Sequence, residues 1–189
     1  MTNYVFFCSH NHAKYANNNN RAVFSQWYKS TFKASVNSVY NTDAILGEFN
    51  QLVNGLEFNC CEQWMMAMKA LMFATGSKRN ENLLVFNKIM KSSDPGEIKN
   101  LGKDIVNFDN NLWNEWKYKI VVNGNYQKFQ NNHLKNILQN TNDDILVEAA
   151  HYDPIWGIGY SEEDAIKNKE TWGQNLLGKA LMEVRDLLK

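Results

Sequence analysis

The segment from Asn59 to Phe73, NCCEQWMMAMKALMF, sets a carboxylate, Glu62, and an amine, Lys69, among sulfur, aromatic and aliphatic side chains. Placed seven residues apart on a helix, the two drift only ~20° from a common stripe, so both charges face the same place. Cys61, Met65, Met68 and Met72 recur at i, i+4, i+7 and i+11 on an adjoining stripe suited to a core. Two readings stay open at this level. The pair is a solvated helix edge with the Lys69 stem snorkelling, or a half-buried acid and amine with displaced pKa values in a cleft.

A second group lies in HYDPIWGIGYSEED, His151 to Asp164. Trp156, followed by Gly157 and Gly159, offers a flat stacking surface beside backbone that a ligand can approach closely. Asp153 supplies acceptors for ribose hydroxyls. The alternative is an Ω-like loop in which Trp156 plugs the core and Asp153 forms an Asx-turn ahead of Pro154. Further on, Gln174 and Asn175 stand at a helix start, either as ordinary caps or beside backbone N–H groups open to an anion. Cys8, His10 and His12 alternate as ligands on one strand face would, but no second Cys/His pair completes a set of four, so no metal is expected. Cys61 at a helix N-terminus has the position of a low-pKa nucleophile, yet no histidine stands near it in sequence.

These side chains need a frame. The chain of 189 residues is 44% hydrophobic and 13% aromatic, enough for one sizeable core and a single domain over 1–189. Lys+Arg 20 balance Asp+Glu 20, which argues against a broad grip on nucleic-acid backbone and leaves room for a local pocket for one or two phosphates. Three cysteines, two of them adjacent, make no disulfide framework. No apolar run reaches the ~18 residues of a spanning helix, and the first residues lack the pattern of a signal peptide. The expectation is a cytoplasmic protein without membrane contact, a monomer or weak dimer, that needs no cofactor.

The pattern predicts a strand over Tyr4 to Cys8, a loop over the Asn-rich 11–21, and an extended or turning segment over Ala22 to Ser35, whose Trp27 and Tyr28 need a surface to lie on. Helices are expected over Gly55 to Thr75, capped by Asn59 and ended before Gly76, and over Lys78 to Ser92. A short one led by Asp94 and Pro95 follows, then Asn111 to Asn123, Tyr126 to Asn140 and Asn175 to Leu188. The fold class is therefore mainly α, with a few short strands near the N-terminus.

In order and spacing, FSQWYKSTF, NCCEQWMMAMKALMF and EAAHYDPIWGIG…TWGQNLLGKALMEVR resemble the YbiA-like N-glycosidase superfamily, also called NADAR. The intervening DPGEIKNLGKDIVNFDNNLWNEWKYKIVVNGNYQKFQNN is similar as well, so the likeness covers roughly Val23 to Leu188 and leaves the Asn-rich piece outside. Lys29 stands where a proline usually follows WY, Ala150 and His151 replace a Ser-Pro pair, and the stretch from Ala34 to Asn54 is longer than in a minimal version. The resemblance implies a compact helical domain that hydrolyses a C–N bond between a ribose carbon and a nitrogen. Two activities are known in such proteins: cleavage of early riboflavin-pathway ribosylamino-pyrimidine phosphates, and removal of ADP-ribose from guanine. It implies catalytic positions for Glu62 and Lys69 and places Asp153 and Trp156 in the family's loop.

The chemistry of the residues agrees. Breaking a ribosyl C–N bond builds positive charge on the anomeric carbon, which a carboxylate at Glu62 stabilises while moving protons. A desolvated Lys69 has a second route, a Schiff base with the ring-opened sugar. Trp156, with Trp27 or Trp64, would stack on base or sugar, and Arg21, Lys29 or the Gln174/Asn175 helix start would meet phosphate. The expected substrate is ADP-ribosylated guanine, as a nucleotide or within DNA. Riboflavin intermediates are the alternative substrate, and a non-catalytic ADP-ribose or nucleotide-binding module is the alternative class.

Overall fold

A computed structural model describes residues 3–11 and 20–189. His12 and most of the Asn-rich loop lie outside the described residues. In chain order the elements are β1 (Tyr4–Phe7), a 3-10 turn (Asn20–Phe24), β2 (Phe32–Lys33), α1 (Asp43–Leu46), a 3-10 turn (Gly47–Phe49), α2 (Asn50–Val53) and β3 (Glu57–Phe58). Then come α3 (Cys61–Met72), a 3-10 turn (Gly76–Lys78), α4 (Arg79–Lys91), α5 (Pro95–Leu101), α6 (Asn110–Lys128), α7 (Asn132–Gln139), β4 (Ile145–Glu148), α8 (Glu162–Ala165), a 3-10 stretch (Ile166–Thr171) and α9 (Leu176–Leu187). The chain is mainly α, as expected. Its strands pair two by two: β1 runs parallel to β4, Tyr4 opposite Ile145, and β2 antiparallel to β3. Because β4 comes late in the sequence, the strands are not confined to the N-terminal part. No described helix is long and apolar enough to cross a membrane. The chain divides into two compact units, Lys29–Lys128 and Met1–Tyr28 with Phe129–Lys189.

The Lys29–Lys128 unit is built around α3, which packs against α4, α5 and α6. Every α3 residue except Lys69 is buried. Glu62 therefore does not lie on a solvated edge, while Lys69 alone keeps part of its side chain exposed. Asn59 does not cap it. The helix starts after an extended Cys60 that makes no side-chain cap, and the Asn59 N–H donates instead to Gln63 Oε1 at 2.8 Å. Gln63 is in turn fixed by donating to the carbonyls of Ile89 and Ser92. The start of α5 follows expectation, with Asp94 Oδ1 accepting from the Gly96 N–H at 2.7 Å and Pro95 in the first turn.

The two helices expected over Asn111 to Asn123 and Tyr126 to Asn140 are present, but the break between them falls after Lys128, because α6 runs through Gly124 and α7 starts at Asn132. Asn123 and Gly124 read as a helix end, but both have tertiary work. The buried Asn123 amide accepts from the Tyr40 N–H and donates to the carbonyls of Val36 and Tyr40, holding the long 34–54 segment. Gly124 lets Trp64 lie directly on the helix: a Cβ there would come within 2.4 Å of Trp64 Cδ1. Gly124→Ala gains ~1 kcal/mol of helix propensity, but overpacking a core costs about 1–3 kcal/mol. With Trp64 pinned by its N–H to the Ile120 carbonyl at 2.8 Å, the second effect dominates. The variant is expected to melt several degrees below the parent; an unchanged or raised Tm would show that Trp64 can move away.

In the other unit α9 packs on β4, and α7 packs against α9 and the Asn20–Phe24 turn. Phe7, Phe24 and Phe129 are buried with ring centroids 5.6 and 6.5 Å apart, and Val147, Ile158 and Ala165 form a second apolar cluster. The Ala22 to Ser35 segment starts with the last residues of that 3-10 turn and includes β2.

Candidate functional site

Glu62 lies in the first turn of α3 and is 4% exposed. Two turns on, Lys69 is the one partly exposed residue of the helix. Burial pushes the Lys69 amine below the usual lysine range, and the Glu62 carboxylate opposes that shift by favouring the charged form. The two groups therefore share one electrostatic environment. Lys69 Nζ donates to the Gly102 carbonyl at 3.3 Å. It also stands 4.4 Å from the centroid of the Phe108 ring and 5.6 Å from that of Trp113.

The segment carrying Phe108 is fixed from both sides. The fully buried Asn82 side chain donates to the Val106 carbonyl and accepts from the Val106 N–H, at 2.9 and 3.0 Å. Asn107 takes a left-handed φ of 60°. Asp109 Oδ1 then accepts from the N–H groups of Asn111 and Leu112 at the start of α6.

A feature that sequence reasoning missed is a buried polar stripe on α6. Lys117, Val121, Asn125 and Lys128 follow i, i+4, i+8 and i+11 and are all buried, Lys128 to 1% exposure. That spacing was visible, but two lysines on a helix pattern are ordinarily solvated. Lys128 faces Cys60 and Cys61 at the start of α3, and burial pushes its pKa down. The same burial raises the Cys61 thiol to about 12, outweighing the nearby ammonium, while Cys61 Sγ contacts Asn125 Oδ1 at 3.6 Å. Cys61 is a protonated core thiol, which sets aside the nucleophile reading.

Trp64 is also a core residue, 1% exposed, edge-on to Phe58 at 5.3 Å and with its N–H committed to backbone. Nothing of its surface is left for stacking on a substrate.

The other unit holds the second predicted group. Asp153 Oδ1 accepts from the N–H groups of Ile155 and Trp156, both at 2.9 Å, the Asx-turn that the sequence allowed. Trp156 is half-buried. A Cβ at Gly157 would meet the Glu148 carbonyl at 2.6 Å, and Gly159 has a φ of 77°. The start of α9 is not open to an anion. The N–H groups of Gln174, Asn175, Leu176 and Leu177 donate to the carbonyls of Pro154, Gly157, Ile155 and Trp156, so the loop itself caps the helix. Gln174 is exposed, whereas Asn175 is a buried clasp in left-handed backbone, donating to the Leu146 carbonyl and accepting from the Glu148 N–H. Losing two buried bonds costs about 2–4 kcal/mol; Asn175→Ala should show a matching drop in denaturant midpoint, while Gln174→Ala leaves it in place.

Arg21 is held by the Phe6 carbonyl and by Glu162 Oε1, each at 2.8 Å, and Lys29 is exposed. Trp27 lies half-buried against His10, ring centroids 5.7 Å apart. Beside it the Gln26 carboxamide is buried with neither Oε1 nor Nε2 hydrogen-bonded, a costly state for a polar group. Among the described residues no cluster of three His, Cys, Asp or Glu side chains is arranged to hold a metal ion.

A family profile described as NADAR domain matches residues 6–189, a span that includes β1 and the Asn-rich piece and so starts earlier than the sequence motifs indicated. The N-glycosidase R617 of Acanthamoeba polyphaga mimivirus is 38% identical over 186 residues, 97% of this chain and 95% of that protein. Protein irg-1 of Caenorhabditis elegans is 30% identical over 171 residues, 88% of this chain and 75% of that one. Among solved structures, the NMR structure of the E.coli protein YbiA matches with a TM-score of 0.65 at 20% identity, over 100% of this chain and 86% of that chain. At that identity the likeness speaks for the fold.

Proposed function

We propose that this chain, which belongs to the NADAR domain family, is an N-glycosidase that hydrolyses the bond between a ribose anomeric carbon and a nitrogen, with ADP-ribosylated guanine, as a nucleotide or in DNA, as substrate. The observation that carries the reading is a buried carboxylate, Glu62, sharing a helix and an electrostatic environment with a partly desolvated amine, Lys69. The name of the mimiviral relative supports the reaction class.

As the C–N bond breaks, its electron pair stays with the base nitrogen and positive charge grows on the anomeric carbon. Glu62 offsets that charge, takes a proton from the attacking water and returns one to the departing nitrogen. In the second route, neutral Lys69 adds to the anomeric carbon of the ring-opened sugar and expels the base, leaving an imine. Water then hydrolyses the imine to the sugar aldehyde and restores the amine. Burial supports this route because it raises the fraction of Lys69 present as free amine. Within the unit of Met1–Tyr28 and Phe129–Lys189, Asp153, Gly157, Gly159 and Asn175 are assigned to shaping the loop that carries Trp156.

Incubation with ADP-ribosylated guanine and, separately, with a ribosylamino-pyrimidine phosphate, followed by product mass spectrometry, tests the reading. Release of ADP-ribose from the first is expected. Turnover of the second alone would reassign the substrate, and no product from either would overturn the enzymatic reading.

A further inference from the structure

We infer that Phe108 is the specificity-determining wall of the site, the surface on which the leaving nucleobase stacks while Lys69 and Glu62 act at the anomeric carbon; this rests on the N-glycosidase reading above. Phe108 is 43% exposed, and its position beside Lys69 is held by a built support. Asn82 anchors the backbone two residues before it, Asn107 turns the chain through a left-handed conformation, and Asp109, the residue after it, accepts from the first N–H groups of α6. Its ring edge meets Phe73 at a centroid distance of 5.1 Å, which fixes the ring plane. The ammonium of Lys69 lies 4.4 Å from the ring centroid, with the buried Trp113 behind it.

The scissile bond joins the anomeric carbon to the base, so a base leaves from one bond away from the carbon that the amine must reach. A ring centred a few ångströms from Nζ is within stacking distance of a base attached there. Stacking is tolerant of base identity because every base has a π-face, but it discriminates strongly against a leaving group that has none. The site should therefore accept planar aromatic leaving groups as a class and favour large ones, so that a purine is cleaved faster than a single ring.

The test uses Phe108→Leu, which keeps an apolar side chain beside Lys69, and Phe108→Trp, which keeps a π-face. Loss of one base–aromatic stack corresponds to roughly a 10-fold effect. Phe108→Leu should lower kcat/KM on ADP-ribosylated guanine by about that factor, with a smaller loss on a single-ring leaving group and an unchanged pH profile. Phe108→Trp should restore the rate. Titration with guanosine monophosphate, read by Trp fluorescence, should show the same weakening without any turnover. Equal losses on all leaving groups with a shifted pH profile would make Phe108 only a desolvating neighbour of Lys69 and overturn the inference. Unchanged nucleotide affinity in Phe108→Leu would overturn it too. A parent protein that binds the nucleotide through Phe108 and cleaves nothing would instead overturn the enzymatic reading alone.

Discussion

Glu62→Gln is expected to lower kcat on ADP-ribosylated guanine by about 10²- to 10⁴-fold, the range of general acid–base catalysis, while the protein stays folded. Gln has nearly the volume of Glu and keeps a hydrogen-bonding oxygen, so the buried position does not collapse. What it removes is the charge that stabilises the anomeric cation and the capacity to exchange a proton. The substitution has a second signature. Glu62 is the group that holds the Lys69 pKa up against burial, so without it the lysine loses its proton at still lower pH. Any residual activity of Glu62→Gln that depends on free amine should therefore rise with pH earlier than in the parent. A variant with parental kcat and an unmoved profile would remove Glu62 from the mechanism.

Lys69 carries the second large effect. If its amine forms the imine, Lys69→Met and Lys69→Arg should both lose activity by roughly 10³-fold or more, because a guanidinium keeps the charge and cannot form a Schiff base. If Lys69 serves only as a positive charge, Arg retains most of the rate. The sign of the pH dependence follows from burial. An amine whose pKa is lowered in the folded protein is free at a pH where an ordinary lysine, with a pKa of about 10.4, is still charged. The parent rate should thus climb with pH and level off below the usual lysine range. Borohydride added during turnover should trap a covalent adduct, and peptide mapping should place it on Lys69. An adduct on Lys128, the other buried amine near the start of α3, would move the nucleophile to α6.

The helix carrying both residues was legible from its spacing, and so was the Asp94–Pro95 start of α5, because these signals are local. What the sequence could not supply was burial. Heptad spacing put Glu62 and Lys69 on one stripe beside an apolar one, but whether that stripe met water depended on α4, α5 and α6 closing around α3. The break expected near Gly124 rested on propensity alone, and a tertiary contact, the indole of Trp64, overrode it. That contact also explains why Trp64, a plausible stacking residue by type, is spent in the core. The helix start at Asn175 looked open to an anion because nothing in its own sequence shows that the carbonyls from Pro154 to Gly157 fold back onto its N–H groups. Phe108 was missed because neither its type nor its neighbours mark a site. Its placement depends on Asn82, 26 residues earlier, fixing the loop.

Whether Glu62 drives cleavage of the ribosyl C–N bond is read most directly by mass spectrometry of ADP-ribosylated guanine after incubation with the parent protein and with Glu62→Gln at equal concentration. Free ADP-ribose and unmodified guanine are expected from the parent, and intact substrate with the variant over the same time. Intact substrate with both, or equal product from both, would contradict that role for Glu62.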